Sequence, residues 1–162
     1  MKTCLFAGTF DPVTKGHFDT IINLNKKYSK VVVGVGVNPK KTPFFSLEER
    51  LSFLNEAFKN YPFVEIDYYD GLTVDYMRKK GIKILCRGIR NETDLEYEKH
   101  NEKLSKEIYP NLITEYVLAE KGEEKLSSTT VRELIKEKKD YSALLPQGVY
   151  ELVKKAVEKK KI

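Results

Sequence analysis

The sequence lacks long apolar runs. None within its 162 residues approaches the ~20 consecutive apolar residues that a transmembrane helix needs, and the apolar stretch at residues 1–7 is too short for a secretory signal. Cysteine is scarce as well, and Cys4 and Cys86 each lie in an apolar, strand-like run. Buried thiols in a reducing compartment are therefore favoured over a disulfide or a metal site. These absences predict a cytoplasmic protein with no membrane partner.

Net positive charge is small outside the C-terminus. The net charge is +5, but residues 154–162 hold five lysines and one glutamate and account for +4 of it. A lysine run of this kind is typical of the solvated end of a terminal helix. Because no basic stripe with interleaved aromatic residues accompanies it, the sequence argues against a nucleic-acid partner.

Three catalytic signatures are also missing. The sequence contains no Gly-x-x-x-x-Gly-Lys-Ser/Thr loop and no Gly-x-Ser-x-Gly elbow, which argues against P-loop and α/β-hydrolase chemistry. The glycine-rich dinucleotide fingerprint and its later acidic partner are absent too, so hydride transfer is not expected.

The sequence does contain a regular alternation of strand-like and helical segments. Residues 31–37 are almost continuously β-branched, which is typical of a strand buried on both faces. Strands are predicted at residues 3–7, 31–37, 64–68, 82–86 and 112–118, with a helix after each. Such alternation predicts one α/β domain over residues 1–162, a doubly wound five-stranded parallel sheet of Rossmann-like type.

The starts of four helices carry capping signals. They are a capping box at residues 46–49, a second at 93–96, a hydroxyl cap from Ser127 or Ser128 before residues 129–138, and Pro146 in the first turn of the last helix.

Residues suited to binding phosphate follow the predicted strands. Gly8 allows close approach of a ligand to the backbone, and His17 lies at the start of the first helix, where an anion is favoured. Lys41 follows the second strand, and Arg87 and Arg90 flank a glycine after the fourth. Each group alone is also compatible with a cap or a solvated turn. Because parallel strands bind ligands at their carboxyl ends, we expect all of them at one edge of the sheet.

Five motifs, in order, resemble those of bacterial phosphopantetheine adenylyltransferases. Residues 8–17 (GTFDPVTKGH) resemble the Thr/His-x-Gly-His signature of the nucleotidyltransferase superfamily. The resemblance is narrowed to one family by residues 38–50, 70–76, 87–90 (RGIR) with 94–98 (DLEYE), and 126–129 (LSST). It implies transfer of AMP from ATP to 4′-phosphopantetheine by direct in-line attack, with dephospho-coenzyme A and pyrophosphate as products. It also implies Mg²⁺ as cofactor, a cytoplasmic location and a homohexamer.

The resemblance assigns a role to each matching residue. It implies catalytic roles for His17, Lys41 and Arg90. It implies ATP contacts for Thr9, Phe10, His17, Gly88, Ile89, Arg90, Glu98, Glu123, Glu124, Lys125, Leu126, Ser127, Ser128 and Thr129. It implies 4′-phosphopantetheine contacts for Thr9, Lys41, Thr73 and Arg87, and it assigns no protein ligand to the metal.

Two other functions remain open at this point. One is a different nucleotidyltransferase of the superfamily, acting on another phosphorylated acceptor, because His17 does not distinguish acceptors. The other is a non-catalytic nucleotide-binding module on the same sheet. The presence together of Thr9, His17, Lys41 and Arg90 argues against the second, since a sensor needs no catalytic donors.

Overall fold

The computed structural model describes residues 2–119 and 127–160. In chain order the elements are β1 (Lys2–Gly8), α1 (Lys15–Leu24), β2 (Tyr28–Val37), α2 (Leu47–Phe58), β3 (Val64–Asp70), α3 (Thr73–Lys80), β4 (Ile84–Ile89), α4 (Glu92–Ile108), β5 (Ile113–Leu118), α5 (Ser128–Lys136), a 3₁₀ turn (Ser142–Leu144) and α6 (Val149–Lys159). No helix in the described ranges has the length and apolarity needed to span a membrane.

The five strands form one parallel sheet in the order β3-β2-β1-β4-β5. The chain runs outward from β1 to β3, then crosses to the other side of β1 and continues outward through β4 and β5. The predicted doubly wound parallel sheet is confirmed. Strand order reverses between β1 and β4, and ligands bind at such a switch point in sheets of this kind.

The core lies on both faces of this sheet. Along β2, Val31, Val33 and Val35 pack into one cluster, whereas Val32 packs into the other, because successive side chains of a strand point to opposite faces. Buried side chains of α1, α2, α5 and α6 complete the first cluster, and those of α3 complete the second. Both cysteines are buried free thiols, as expected.

One predicted capping box is confirmed and the other is wrong. The Ser46 hydroxyl accepts from the Glu49 amide at 3.1 Å, and the Glu49 carboxylate accepts from the Ser46 amide at 2.9 Å. The predicted box at residues 93–96 does not start its helix. α4 begins one residue earlier, at Glu92, because the Asn91 side chain caps it by accepting from the Asp94 amide at 2.9 Å.

The predicted end of β4 and the predicted start of the last helix are also wrong. β4 does not end at residue 86, because pairing with β5 continues through Arg87, Gly88 and Ile89. Pro146 is not in the first turn of the last helix. α6 begins at Val149, after Gly148 in the left-handed region at φ 85°, and Pro146 only accepts from the Val149 amide at 3.1 Å.

Candidate active site

Two adjoining clefts open at the carboxyl ends of the strands. The larger, of about 470 Å³, lies where β1 and β4 end, at the switch point, and also contacts the start of α5. The smaller, of about 450 Å³, lies at the end of β2. Thr9, Asp11 and Arg132 line both. Each volume falls within the range of small-molecule sites, so the pair can hold two neighbouring ligands.

His17 is presented to the larger cleft by the capping box that starts α1. The Thr14 hydroxyl accepts from the His17 amide at 3.3 Å, and the Thr14 amide donates to His17 Nδ1 at 3.0 Å. Burial, with a further contribution from the positive charge of Arg90, lowers the pKa of His17 to about 4. At neutral pH the ring is therefore uncharged, and because Nδ1 accepts a hydrogen bond, the single proton lies on Nε2.

Phe10 supports this imidazole from within the protein. Its ring is only 2% exposed and packs edge-on against the His17 ring, with centroids 5.0 Å apart. The Phe10 backbone has φ 50°, a left-handed conformation that is costly for a bulky residue and is concentrated at functional sites. Gly8 makes room for the fold-back, since a Cβ there would lie 3.2 Å from the Phe10 ring. A ligand can therefore reach Phe10 mainly at its backbone.

Lys41 belongs to the loop after β2 and lines the smaller cleft. Its side chain is exposed, and its amide donates to the Asn38 carbonyl at 3.0 Å. The far end of the loop is held by Asp11, whose carboxylate accepts from the amides of Phe44 and Phe45 at 2.8 Å each. A compact cation on a flexible stem suits contact with a phosphate.

Arg87 lies near the carboxyl end of strand β4, at the larger cleft, and its guanidinium is already hydrogen-bonded within the protein. Its Nε and Nη2 donate to the Glu98 carboxylate at 3.0 and 2.9 Å, and its Nη1 donates to the Ala7 carbonyl at 3.1 Å. Such a two-point pair fixes the plane of the guanidinium. Glu98, predicted as an ATP contact, thus has a second role in orienting Arg87.

Arg90 follows β4 and extends from the cleft towards solvent. It forms an ion pair of 3.4 Å with Asp94 on α4, and its side chain is half exposed. The pair is open to water and adds little stability. Arg90 can therefore exchange this partner for a phosphate at small cost.

The start of α5 forms the third wall of the larger cleft. Ser127 caps the helix by accepting from the Thr130 amide at 3.1 Å, which decides between the two serines considered from sequence. Ser128 donates to the Pro12 carbonyl at 2.7 Å. Arg132 donates to the Asp11 carbonyl at 2.7 Å and to the Thr129 hydroxyl at 3.1 Å. Helix amides and hydroxyls in this arrangement favour anions.

Most of the predicted site residues are brought together. Those that line the larger cleft are Thr9, Phe10, His17, Arg87, Gly88, Ile89, Arg90, Glu98, Ser127, Ser128 and Thr129. Thr9 and Lys41 line the smaller one. Thr73 lines neither, and its hydroxyl bonds to that of Tyr69 at 2.8 Å. Glu123, Glu124, Lys125 and Leu126 lie outside the described residues.

The charged residues beside the clefts that sequence reasoning did not assign to the site include Asp11, Arg50 and Arg132. Arg50 left a detectable signal, because it occupies the apolar face of α2 in register with Phe53, Leu54 and Ala57. A charged residue at such a position is unexpected unless it is paired. Asp11 lies within the motif at residues 8–17 and Arg132 shortly after the motif at residues 126–129, and neither carried a separate signal.

The described side chains offer hydrogen-bond donors and positive charge to anionic ligands. No group of three His, Cys, Asp or Glu side chains within residues 2–119 and 127–160 is arranged to hold a metal ion. The arrangement can bind phosphates and stabilise charge that develops on them.

A sequence model of the cytidylyltransferase-like family matches residues 5–134 of this chain. A solved structure with the same fold is a bifunctional NMN adenylyltransferase/ADP ribose pyrophosphatase from Francisella tularensis. It superposes with a TM-score of 0.70 at 18% identity, over 94% of this chain and 49% of that one. The match, the parallel sheet and the cleft at its switch point define a nucleotidyltransferase of the cytidylyltransferase-like class.

Similar proteins of known name identify one family within this class. The chain is 36% identical to the phosphopantetheine adenylyltransferase of Alkaliphilus metalliredigens, over 96% of this chain and 99% of that protein. It is 41% identical to the enzyme of the same name from Dictyoglomus turgidum, over 93% of this chain and 94% of that protein. The chain belongs to the phosphopantetheine adenylyltransferase family.

Proposed function

We propose that this chain transfers AMP from ATP to 4′-phosphopantetheine, giving dephospho-coenzyme A and pyrophosphate. An oxygen of the acceptor phosphate attacks the α-phosphorus of ATP. As the new P–O bond forms, the bond to the bridging oxygen of the β-phosphate breaks in line with it, and pyrophosphate leaves. A phosphate is already a competent nucleophile, so catalysis rests on positioning and charge stabilisation. The family to which the chain belongs supports this acceptor.

The observation that carries the proposal is the neutral His17 ring with its proton on Nε2, at the larger cleft. In this role Nε2–H donates to an α-phosphate oxygen that gains negative charge in the transition state. Nδ1 is held by the Thr14 amide at 3.0 Å, so the ring needs no reorientation during the reaction. Preorganised donors of this kind account for much of the rate enhancement in enzymes.

We assign the acceptor phosphate to Thr9, Lys41 and Arg87. Thr9 lines both clefts, and Lys41 and Arg87 approach it from β2 and β4. A mobile ammonium group and a fixed guanidinium on either side of the acceptor would orient its attacking oxygen. The same proposal gives Thr73 a contact with the acceptor, although its hydroxyl is bonded to Tyr69.

We assign ATP to the larger cleft. Gly88, Ile89 and Arg90 at the end of β4, with Glu98, border one side. The hydroxyls of residues 127–129, at the start of α5, border the other and suit the outer phosphates. Residues 123–126 belong to the same proposed contact but lie outside the described residues.

We propose Mg²⁺ as the metal that accompanies ATP. The donor set fits an ion carried on the phosphates, because cationic side chains and helix amides line the clefts, and the described residues form no carboxylate cluster. When bound, the ion neutralises phosphate charge and retains much of its water shell. The side chains named above bind and orient the same phosphates.

A panel of acceptors tests the function. Purified protein is incubated with ATP and 4′-phosphopantetheine, nicotinamide mononucleotide, glycerol phosphate or a sugar phosphate, and pyrophosphate release is measured. We expect release with 4′-phosphopantetheine alone, and dephospho-coenzyme A by mass spectrometry. Release with a different acceptor would replace the proposed substrate, and no release with any acceptor would favour a non-catalytic nucleotide-binding module.

We also propose that the chain assembles as a homohexamer in the cytoplasm. α4 supports an assembly, because none of its side chains is buried although Tyr97, Leu104 and Ile108 are large and apolar. Exposed apolar residues gathered on one element are typical of an interface. The two buried free thiols are compatible with a reducing compartment.

A further inference from the structure

Asp11 is a buried carboxylate that joins three segments of the active site. It is 5% exposed, and its two oxygens accept from the amides of Phe44 and Phe45 at 2.8 Å each. Its own carbonyl accepts from Arg132 Nη1 at 2.7 Å. The turn between β1 and α1, the end of the Lys41 loop and the start of α5 therefore meet at one residue.

Arg50 makes a parallel connection from α2. It is 3% exposed, its Nη1 donates to the Thr9 carbonyl at 3.0 Å, and its Nε donates to the Phe45 carbonyl at 3.1 Å and the Ser46 carbonyl at 3.3 Å. One guanidinium thus holds the backbone of the turn that bears Thr9 and the backbone that follows the Lys41 loop. Its planar, fixed set of donors reaches these carbonyls at once, which a lysine cannot do.

We propose that Asp11 and Arg50 are positioning residues that fix the Lys41 loop against the turn that bears Thr9 and leads into the helix of His17. The inference rests on the proposed function for what Lys41 and His17 do. The fixed backbone itself follows from the contacts of the two buried side chains.

Burying a charge contributes little net stability to a fold, because removing the charge from water costs free energy. Replacing buried ionic groups by apolar residues of similar size is often neutral or stabilising, and Arg50 occupies an otherwise apolar helix face. What the Arg50 guanidinium provides instead is a set distance between two backbone segments. Catalytic groups need this, because a misplacement of ~1 Å costs about 10²-fold in rate.

The central test is a double-mutant cycle of Arg50→Lys and Lys41→Ala. Lysine keeps the charge and loses the multiple carbonyl contacts. We expect kcat to fall about 10²-fold in Arg50→Lys, with little change in the KM for ATP. If Arg50 acts through Lys41, the double variant should be about as slow as Lys41→Ala alone. Two losses that multiply, to about 10⁴-fold, would overturn the proposal.

A core truncation on the same helix is the matched control. Leu54→Val removes a methylene from a fully buried apolar side chain of α2 that takes no part in the hydrogen bonds of Asp11 and Arg50. It should lower Tm and leave kcat unchanged. If this variant loses as much kcat as Arg50→Lys, the effect is general destabilisation and the positioning role is refuted. If Arg50→Lys does not fold, Asp11→Asn replaces it in the double-mutant cycle with Lys41→Ala. Asparagine keeps only one of the two side-chain oxygens that accept from the Phe44 and Phe45 amides.

A second readout does not depend on the reaction. In Asp11→Asn, amide hydrogen exchange should be at least tenfold faster at whichever of Phe44 and Phe45 loses its acceptor oxygen. Unchanged exchange there would contradict the anchoring even if turnover fell. If the wild-type protein transfers AMP to none of the acceptors, the proposed function fails. The exchange measurement still tests whether Asp11 holds the Phe44 and Phe45 amides.

Discussion

Replacing His17 with alanine tests the central chemical role. The substitution removes the Nε2–H donor that we place at the α-phosphate, and it leaves the cleft walls of β4 and α5 in place. Because the donor meets charge that develops mainly in the transition state, its loss should fall on turnover rather than on ATP binding. We expect kcat to fall while the Kd for ATP changes by a much smaller factor.

The size of the effect follows from one lost donor. Removing a single preorganised donor to an oxyanion costs about 10²–10³ in kcat, or about 2.7–4 kcal/mol of transition-state stabilisation. Alanine also loses the acceptor for the Thr14 amide, at 3.0 Å in the capping box, so the free energy of unfolding should drop by about 1 kcal/mol. The two losses are measured separately, since a modest loss of stability leaves the folded fraction nearly unchanged.

Pyrophosphate release under saturating substrates gives kcat, calorimetry gives the Kd for ATP, and thermal unfolding gives the stability. His100→Ala is the matched control, because it removes the other histidine, which is exposed on α4. His17→Gln is a second variant, since glutamine serves in a capping box at this position and should restore stability without restoring the imidazole. Near-normal kcat in His17→Ala with weakened ATP binding would contradict a transition-state role and make His17 a binding residue.

Three further predictions address other parts of the site. Lys41→Ala should lower kcat about 10²-fold and weaken equilibrium binding of 4′-phosphopantetheine, and unchanged binding would remove Lys41 from the acceptor site. Glu98→Gln should release Arg87 from its two-point pair and raise the KM for the acceptor more than the KM for ATP. A larger rise in the KM for ATP would contradict this role of Glu98. The His17 ring should titrate by NMR with a midpoint near 4. Since folding lowers the pKa of His17 from 6.5, stability should fall as the pH drops from about 6.5 towards 4, and a midpoint near 6.5 would contradict the neutral ring.

The sheet was predictable because its strands carry local signals. The β-branched run at residues 31–37 predicted β2, and alternation with helical spacing predicted the parallel arrangement. Boundaries were less certain, because a strand continues as long as its neighbour offers hydrogen bonds. β4 runs on to Ile89 only because Gly88 and Ile89 pair with residues of β5, and nothing in residues 82–86 encodes that partner.

The cleft was predictable for a topological reason. Residues that touch a ligand in such a sheet lie at the carboxyl ends of strands, so His17, Lys41, Arg87 and Arg90 could be located from strand prediction and residue type. The hydrogen-bond and ion-pair partners of these residues could not be predicted in the same way. The pairing of Arg87 with Glu98 depends on how α4 crosses β4, a tertiary arrangement that residue spacing does not determine.

The hydrogen bonds of the positioning residues join residues that are far apart in the chain. The Asp11 carboxylate and the Phe44 amide that it binds are 33 residues apart in the chain, Arg50 and Thr9 are 41 apart, and Arg132 and Asp11 are 121 apart. Each of these bonds ends on a backbone group, so the partner's side chain is under no constraint from it and leaves no motif. The sequence can show only the side-chain partner of such a bond, as a charged residue on an otherwise apolar helix face, and Arg50 is an example. A buried charge with no oppositely charged residue near it in sequence is therefore the place to look for the backbone segment that a catalytic loop depends on.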